Sequence, residues 1–265
     1  MPPQTTTPAG LQPKPLLAAL TLCQRELVRF LRQRNRVFGA LGQPIVFWLL
    51  FSEGLRGAQL GYAHFFPGTL VMILLFTAIF ATISIIEDRR EGFLQSVLVA
   101  PLPRWSMVLG KVLGGTALAM LQGGLFLLLG WLTLKLHPGF WNWLGVLGLM
   151  MLLSFALTSL GFVLAWRMES TQGFHAVMSV LLLPMWLLSG AFFPATSGWL
   201  GWIVTLNPLT YGVAGMRRLL ELQEPNALAS LPGVGWCWTI TALFAAITFT
   251  AAWKVSAGRT TGDLL

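Results

Sequence analysis

The sequence predicts an all-α membrane protein with six transmembrane helices, an N-terminal amphipathic interfacial helix, a short cytoplasmic helix after the second crossing, and re-entrant outer helices between the fifth and sixth. Three observations predict it. Hydrophobic residues fill 55% of the 265 positions and charged residues only 10%, with a mean hydropathy of +0.72, far from soluble globular chains. Apolar segments long enough to cross about 30 Å of hydrocarbon, roughly 20 residues each, recur six times. The tightest run of charge, Glu87 to Glu91, stands between two of them.

Residues 1–13 are proline-rich and polar, with no charged n-region leading into a cleavable apolar core, and read as a disordered tail that is retained. Residues 14–36 form the amphipathic helix. Leu16, Leu20, Cys23, Leu27, Phe30 and Leu31 recur at helical spacing, while Arg25, Arg29, Arg32 and Arg36 occupy other faces. Its apolar stripe suits the headgroup boundary, and its arginines suit anionic lipid or a cytoplasmic protein. A simple membrane anchor fits the same pattern. The transmembrane domain fills 37–265, with crossings at 37–55, 68–86, 107–134, 141–166, 174–194 and 236–254.

An even number of crossings puts both termini on one side, and basic residues choose that side. With the termini and the loops at 87–111 and 167–173 in the cytoplasm, only Arg56, Lys135, Arg217 and Arg218 of the 17 basic residues lie outside. The net charge of +8 therefore reports topology, and no nucleic-acid partner is needed. Cys23 and Cys237 fall on opposite sides of the bilayer, which excludes a disulfide between them.

The outer region, 190–235, contains an apolar stretch from Trp199 to Leu206 that is too short to span, punctuated by Gly190, Pro194, Gly198 and Pro208. It is expected to dip into the outer leaflet as short helices whose freed backbone groups meet protein or water. Trp199, Trp202 and Tyr211 fit an aromatic belt there.

Inside the crossings ionisable side chains are nearly absent. Lys111 and His175 lie near cytoplasmic ends, where snorkelling costs little. A proton- or ion-coupled carrier keeps costly charges at depth for its relay, and none is offered here. No HExxH, GxSxG or paired carboxylates occur, and Gly110–Lys111 is followed by valine without the upstream glycine of a phosphate-binding loop. Nothing suggests an enzyme, a metal site or a cofactor in this chain. The milder polar residues Gln43, Thr77, Gln122, Asn142, Ser154, Thr158 and Ser159 are expected to join helices by hydrogen bonds, and Gly110-x-x-x-Gly114 and Ala119-x-x-x-Gly123 to permit close helix approach.

Glu87 to Glu91 are expected to stand in water at the end of the second crossing. Beyond Gly92, Phe93, Leu94, Val97 and Leu98 share one side of a short helix. Pro101 stops it, and Pro103 opens the next. The whole loop runs from 87 to 106.

The stretch EDRREGFLQSVLVAPLPRWSMVLGK resembles the E-R-E-x-G-x-L-x-x-L-x-x-x-P-x-x-R-x-x-x-x-x-G-K pattern in permease subunits of type-2 ATP-binding-cassette exporters. The matching positions are Glu87, Arg89 or Arg90, Glu91, Gly92, Leu94, Leu98, Pro101, Arg104, Gly110 and Lys111. QPIVFWLLF in the first crossing and NPLTYGVAGMR near the outer side, with Asn207, Pro208, Tyr211 and Arg217, agree with the family as well. E-D-R-R-E in place of E-R-E leaves the register of the arginine open. Ala214 or Gly215 stands where many members carry an acid.

The resemblance implies a half-transporter in a bacterial inner membrane. Two copies would form the pathway, and separate ATPase subunits beneath them would hold ATP and Mg. Contact with the ATPase would fall to Glu87, Asp88, Arg89, Arg90, Glu91, Gly92, the helix through Pro101, and Arg104, together with Arg25, Glu26 and Arg29 of the N-terminal helix. Arg90 and Glu91 would make charge-assisted contacts there, and Phe93, Leu94 and Leu98 would fill a groove on the partner. The exported solute would be amphipathic, lipid-like, drug-like or a polysaccharide. A non-transport membrane scaffold or a membrane-embedded enzyme is the rival reading.

Overall fold

The computed structural model describes residues 14–54, 61–191, 198–222 and 231–258, without several side chains between 34 and 43. The tail at 1–13, Arg56, Pro194, Arg259 and the Gln43 side chain lie outside what is described. Every regular element among the described residues is helical. The helices are α1 Pro15–Arg32, α2 Arg34–Gly54, α3 Tyr62–Ala81, α4 Ile83–Arg90, α5 Phe93–Val99, α6 Arg104–Leu134, α7 Phe140–Trp166, α8 Thr171–Trp186 with a π-helical turn at Leu187–Ala191, α9 Trp199–Leu206, α10 Pro208–Leu220 and α11 Val234–Ala257.

Five runs among the described residues are long and apolar enough to cross a membrane: Tyr62–Arg90, Arg104–Leu134, Phe140–Trp166, Thr171–Ala191 and Val234–Ala257. In α2 the apolar described stretch is shorter, Pro44–Gly54. The chain is thus a multi-pass helical membrane protein.

The run through α3 and α4 is longer than the 68–86 expected from sequence. It bends at Thr82, whose hydroxyl donates to the Ile79 carbonyl at 2.6 Å, and continues to Arg90. α3 is also the centre of the bundle, because its sequence is apolar on every side. All residues from Phe65 to Leu75 are buried, which fits a helix enclosed by neighbours rather than a lipid-facing one. α2, α6 and α7 surround it. Edge-on and stacked rings of Trp48, Phe66 and Phe126 join α2, α3 and α6.

Thr77 donates to Gln122 Oε1 at 2.5 Å between α3 and α6, the interhelical bond expected of those residues. A Cβ on Gly123 would meet Leu74 at 2.6 Å and Met150 at 2.7 Å, so the Ala119/Gly123 face does admit two neighbouring helices. Asn142 likewise joins α7 to the end of α10, donating to Glu221 at 2.6 Å. Thr158 and Ser159 bond carbonyls of their own helix, as hydroxyls in apolar helices commonly do.

At the end of the bundle away from α1, the π-helical turn contains Gly190 at φ +76°. Asn207 caps α10 by accepting from the Leu209 amide at 3.0 Å, and its amide donates to the Met185 carbonyl at 2.5 Å. α10 lies beside α7 rather than over its end. A Cβ on Gly212 would meet Leu153 at 2.9 Å, and one on Gly215 would meet Leu149 at 2.5 Å. Arg217 is buried and donates to the Ala191 carbonyl at 3.2 Å. Tyr211 donates to the Thr205 carbonyl at 3.1 Å, while Trp199 and Trp202 stand exposed.

Candidate functional site: a charge-locked corner

α1 turns two different faces to its surroundings. Ala19, Leu22, Glu26 and Phe30 are buried, spaced by three and four residues along one side. Leu16, Leu20 and Leu31 of the expected interfacial stripe remain exposed beside that side. The buried face lies on α6, and small residues there make the approach possible. A Cβ on Gly110 would sit 2.7 Å from the Ala19 carbonyl oxygen and 2.8 Å from Leu22 Cβ, and one on Gly114 would sit 2.7 Å from Glu26 Cβ. The Gly110-x-x-x-Gly114 pattern therefore receives α1 rather than another crossing. The Ser106 hydroxyl, near the start of α6, donates to the Pro15 carbonyl at the start of α1.

Between the two glycines, Lys111 does not snorkel as expected. It is 5% exposed and donates to Glu26 at 2.6 Å and to Asp88. Asp88 is 0% exposed, which corrects the expectation that the whole Glu87 to Glu91 run stands in water. Arg25 bonds both of its carboxylate oxygens, at 3.1 and 2.8 Å. Arg29 bonds it at 2.5 Å and reaches Glu87 at 3.0 Å and Glu91 at 3.1 Å. Only such pairing makes the desolvation tolerable, because an isolated buried charge costs several kcal/mol. Burial pulls the Arg25 pKa down, but the hydrogen bond and charge of Asp88, with Glu26 and Glu91, outweigh it and raise the value. Three cations and four carboxylates thus tie α1, α4 and α6 together.

The corner continues through Gly92, at φ +75°, a conformation that suits glycine because it lacks a Cβ. This left-handed residue ends α4 and starts α5. Phe93 lies under the Arg25 guanidinium, 3.7 Å from its ring centre. Leu94 is buried in this chain's own core, with Phe93, Val97 and Leu98 packed against it. Of the three residues expected to fill a groove on a partner, Leu94 is buried within this chain, while Phe93 and Leu98 pack against the same core and stay half-buried. Gln95, Ser96 and Val99 face outward. Pro101 lies exposed between α5 and α6, and Arg104 opens α6.

The two arginines of the run separate. Arg89 is half-buried and donates to the Trp166 carbonyl at 2.6 Å and the Met168 carbonyl at 3.2 Å. Arg90 is exposed and donates to the Glu169 carbonyl at 2.9 Å. Glu91 remains exposed apart from its bond to Arg29. Asn207, Pro208, Tyr211 and Arg217 belong to the opposite end of the bundle and take no part in this corner. His175 is exposed in the second turn of α8, 5.6 Å from the Phe80 ring.

Sequence reasoning named Arg25, Glu26, Arg29 and Lys111 without joining them to Asp88. One signal was available. Glu26 falls on the Ala19, Leu22, Phe30 side of α1, and a charge on a buried face demands an opposite charge across the contact. No group of three or more His, Cys, Asp or Glu side chains placed to hold a metal ion occurs among the described residues. The corner links α1, α4 and α6 through paired charges, and α5 joins it through Gly92 and the Arg25 contact with Phe93.

Proteins of Cyanophora paradoxa and Porphyra purpurea, each named "Putative transport permease ycf38", are similar to this chain. The first is 28% identical over 210 residues, which cover 75% of this chain and 72% of that protein. The second is 26% identical over 227 residues, covering 81% of this chain and 78% of its own length. The profile of the family described as ABC-2 type transporter matches residues 18–220, a span holding most of α1, the whole corner and α10. That match covers well over half of the sequence, and the chain belongs to the ABC-2 type transporter family.

Proposed function

We propose that this chain is the membrane subunit of an ATP-driven exporter, and that two copies form the pathway while a separate ATP-binding subunit docks on the charge-locked corner. One observation carries the reading. A short helix with an exposed outer face, α5, is joined through Gly92 and Phe93 to the buried ion pairs of α1, α4 and α6, so a push on it moves membrane helices as a unit.

The 21 residues of α2 span about 31 Å at 1.5 Å per residue, enough for a first crossing. With six crossings both termini share one side, and the basic residues of α1 and the corner favour the cytoplasm for that side. α9 and α10 are then the re-entrant outer helices. A groove of about 640 Å³ between α1 and α5, lined by Leu17, Thr21, Ser96 and Val97 among others, would take a side chain of the ATP-binding subunit. Arg90, Glu91 and Val99 supply the rest of the docking face. The bacterial inner membrane is the proposed location, and the apolar spans favour an amphipathic or lipid-like solute. Catalysis of ATP hydrolysis, with its Mg, belongs to the partner.

The test is co-expression with the ATP-binding subunit encoded nearest to this gene, purification by a tag on this chain, and ATP turnover in lipid. A complex holding two copies of each chain, whose turnover changes on Glu91→Arg without loss of membrane insertion, supports the proposal. A chain that purifies without any ATPase removes it and favours the scaffold.

A further inference from the structure

α7 ends at Trp166; the Leu164 and Ala165 carbonyls take the amides of Arg167 and Met168 at 3.3 and 3.2 Å, and the Trp166 carbonyl needs a partner from outside the helix. Arg89 supplies one from another element. Its two terminal nitrogens span the Trp166 and Met168 carbonyls at 2.6 and 3.2 Å, and its guanidinium lies 5.5 Å from the centre of the Trp166 ring, which is itself buried. A cation at this position also meets the negative end of the α7 dipole.

The link from α7 to α8 is short. Residues 167–170 close it, and Ser170 caps α8 by accepting from the Gly173 amide at 3.4 Å. Arg90 adds a second bond to this link at the Glu169 carbonyl, but from an exposed position. α8 is also among the less enclosed crossings. Val180 and Leu181 stand exposed on it, so a movement of α8 would be felt on the outside of the fold.

We propose that Arg89 is the positioning residue that carries α7 and α8 with the corner, so that a displacement of α5 reaches α8 as well as α3 and α6. Arg89 then faces inward to its own chain, and it is no part of the docking face. The inference rests on the proposed function for the source of the displacement, while the clamp itself is a property of this chain alone. Lysine cannot replace it fully, because an ammonium is one point of charge and cannot span two carbonyls as a planar guanidinium does.

The experiment uses spin-label pairs in a background lacking Cys23 and Cys237. One pair, at Gln24 on α1 and Gln172 on α8, reads across the clamp. The other, at Gln172 and Lys254, reads α8 against α11. In the chain alone in nanodiscs, the first pair is expected to give one narrow distance, which Arg89→Ala broadens at least twofold and Arg90→Ala leaves unchanged. In the complex with the ATP-binding subunit, ATP with vanadate is expected to shift the second pair. Arg89→Ala abolishes that shift while the ATPase stays bound, and Arg89→Lys reduces it.

A narrow first pair in Arg89→Ala, a retained shift of the second pair in that variant, or no shift in the unaltered complex overturns the inference. If Arg89→Ala does not fold, Arg89→Gln is read in the same way. Failure of the unaltered chain to bind any ATPase would strike the exporter reading, and the first pair would still decide the clamp.

Discussion

Glu26 and Lys111 lie 2.6 Å apart where α1 crosses α6, and each is only 5% exposed. Each is the other's reason for being there. Lys111 answers Asp88 as well, so the pair belongs to a larger network that includes Arg25 and Arg29.

Lys111→Met should therefore cost about 3–5 kcal/mol, the range for breaking a buried ion pair from one side. Glu26→Leu combined with Lys111→Met should cost less than the sum of the single changes, since the two groups couple directly. Thermal unfolding in detergent would measure this. Additive losses would mean that the two side chains do not act as a pair.

Gly110→Leu should detach α1 without unfolding the bundle. Its Cβ meets the backbone oxygen of Ala19 at 2.7 Å, and backbone cannot turn aside as a side chain can. At Gly124, on the same helix, an added methyl has nothing within 4 Å, so Gly124→Ala serves as a neutral control. Hydrogen exchange across α1 should rise sharply in the first variant and stay unchanged in the second.

Gly92→Val should destabilise the corner by about 1–2 kcal/mol from backbone strain alone, because φ is +75° and no atom stands within 4 Å of the added Cβ. Gly92→Asn should lose less, since asparagine tolerates that conformation better. Protease accessibility at α5 would rank the three chains.

Thr77→Val should lower stability by about 0.6–1.7 kcal/mol, the scale of interhelical hydrogen bonds in membranes. It removes the donor to Gln122 Oε1, while Gln122 Nε2 is buried and unbonded among the described residues. Adding Gln122→Met should recover part of the loss, because replacing both partners leaves no orphan. A double variant less stable than Thr77→Val would show that Gln122 works through other contacts.

The helices themselves were legible in advance. Runs such as 107–134 and 141–166 are apolar for the length of a bilayer, and composition at that length leaves no other structure. The short helix after Gly92 was legible from Phe93, Leu94, Val97 and Leu98 on one side and from Pro101 beyond. Which body that side would meet was not. Periodicity says that a face is apolar, and says nothing about whether this chain or another covers it. The same limit explains Asp88. Five charges in a row read as a solvated turn, yet a helix continued from α3 aims successive residues about 100° apart. That rotation sends Asp88 inward, Arg89 to the end of α7, and Arg90 and Glu91 outward.

By itself, then, the sequence determined the class, the long apolar runs, the stretches that gather positive charge and the sites where helices stop, because each depends on local composition and on proline or glycine at known positions. Only the tertiary structure decided that Glu26, Asp88 and Lys111 share one buried cluster, that Gly110 and Gly114 receive α1, and that Arg89 closes α7. Those facts depend on which helix faces meet at residues as far apart in sequence as Ala19 and Gly110, and such meetings are set by packing of the whole bundle.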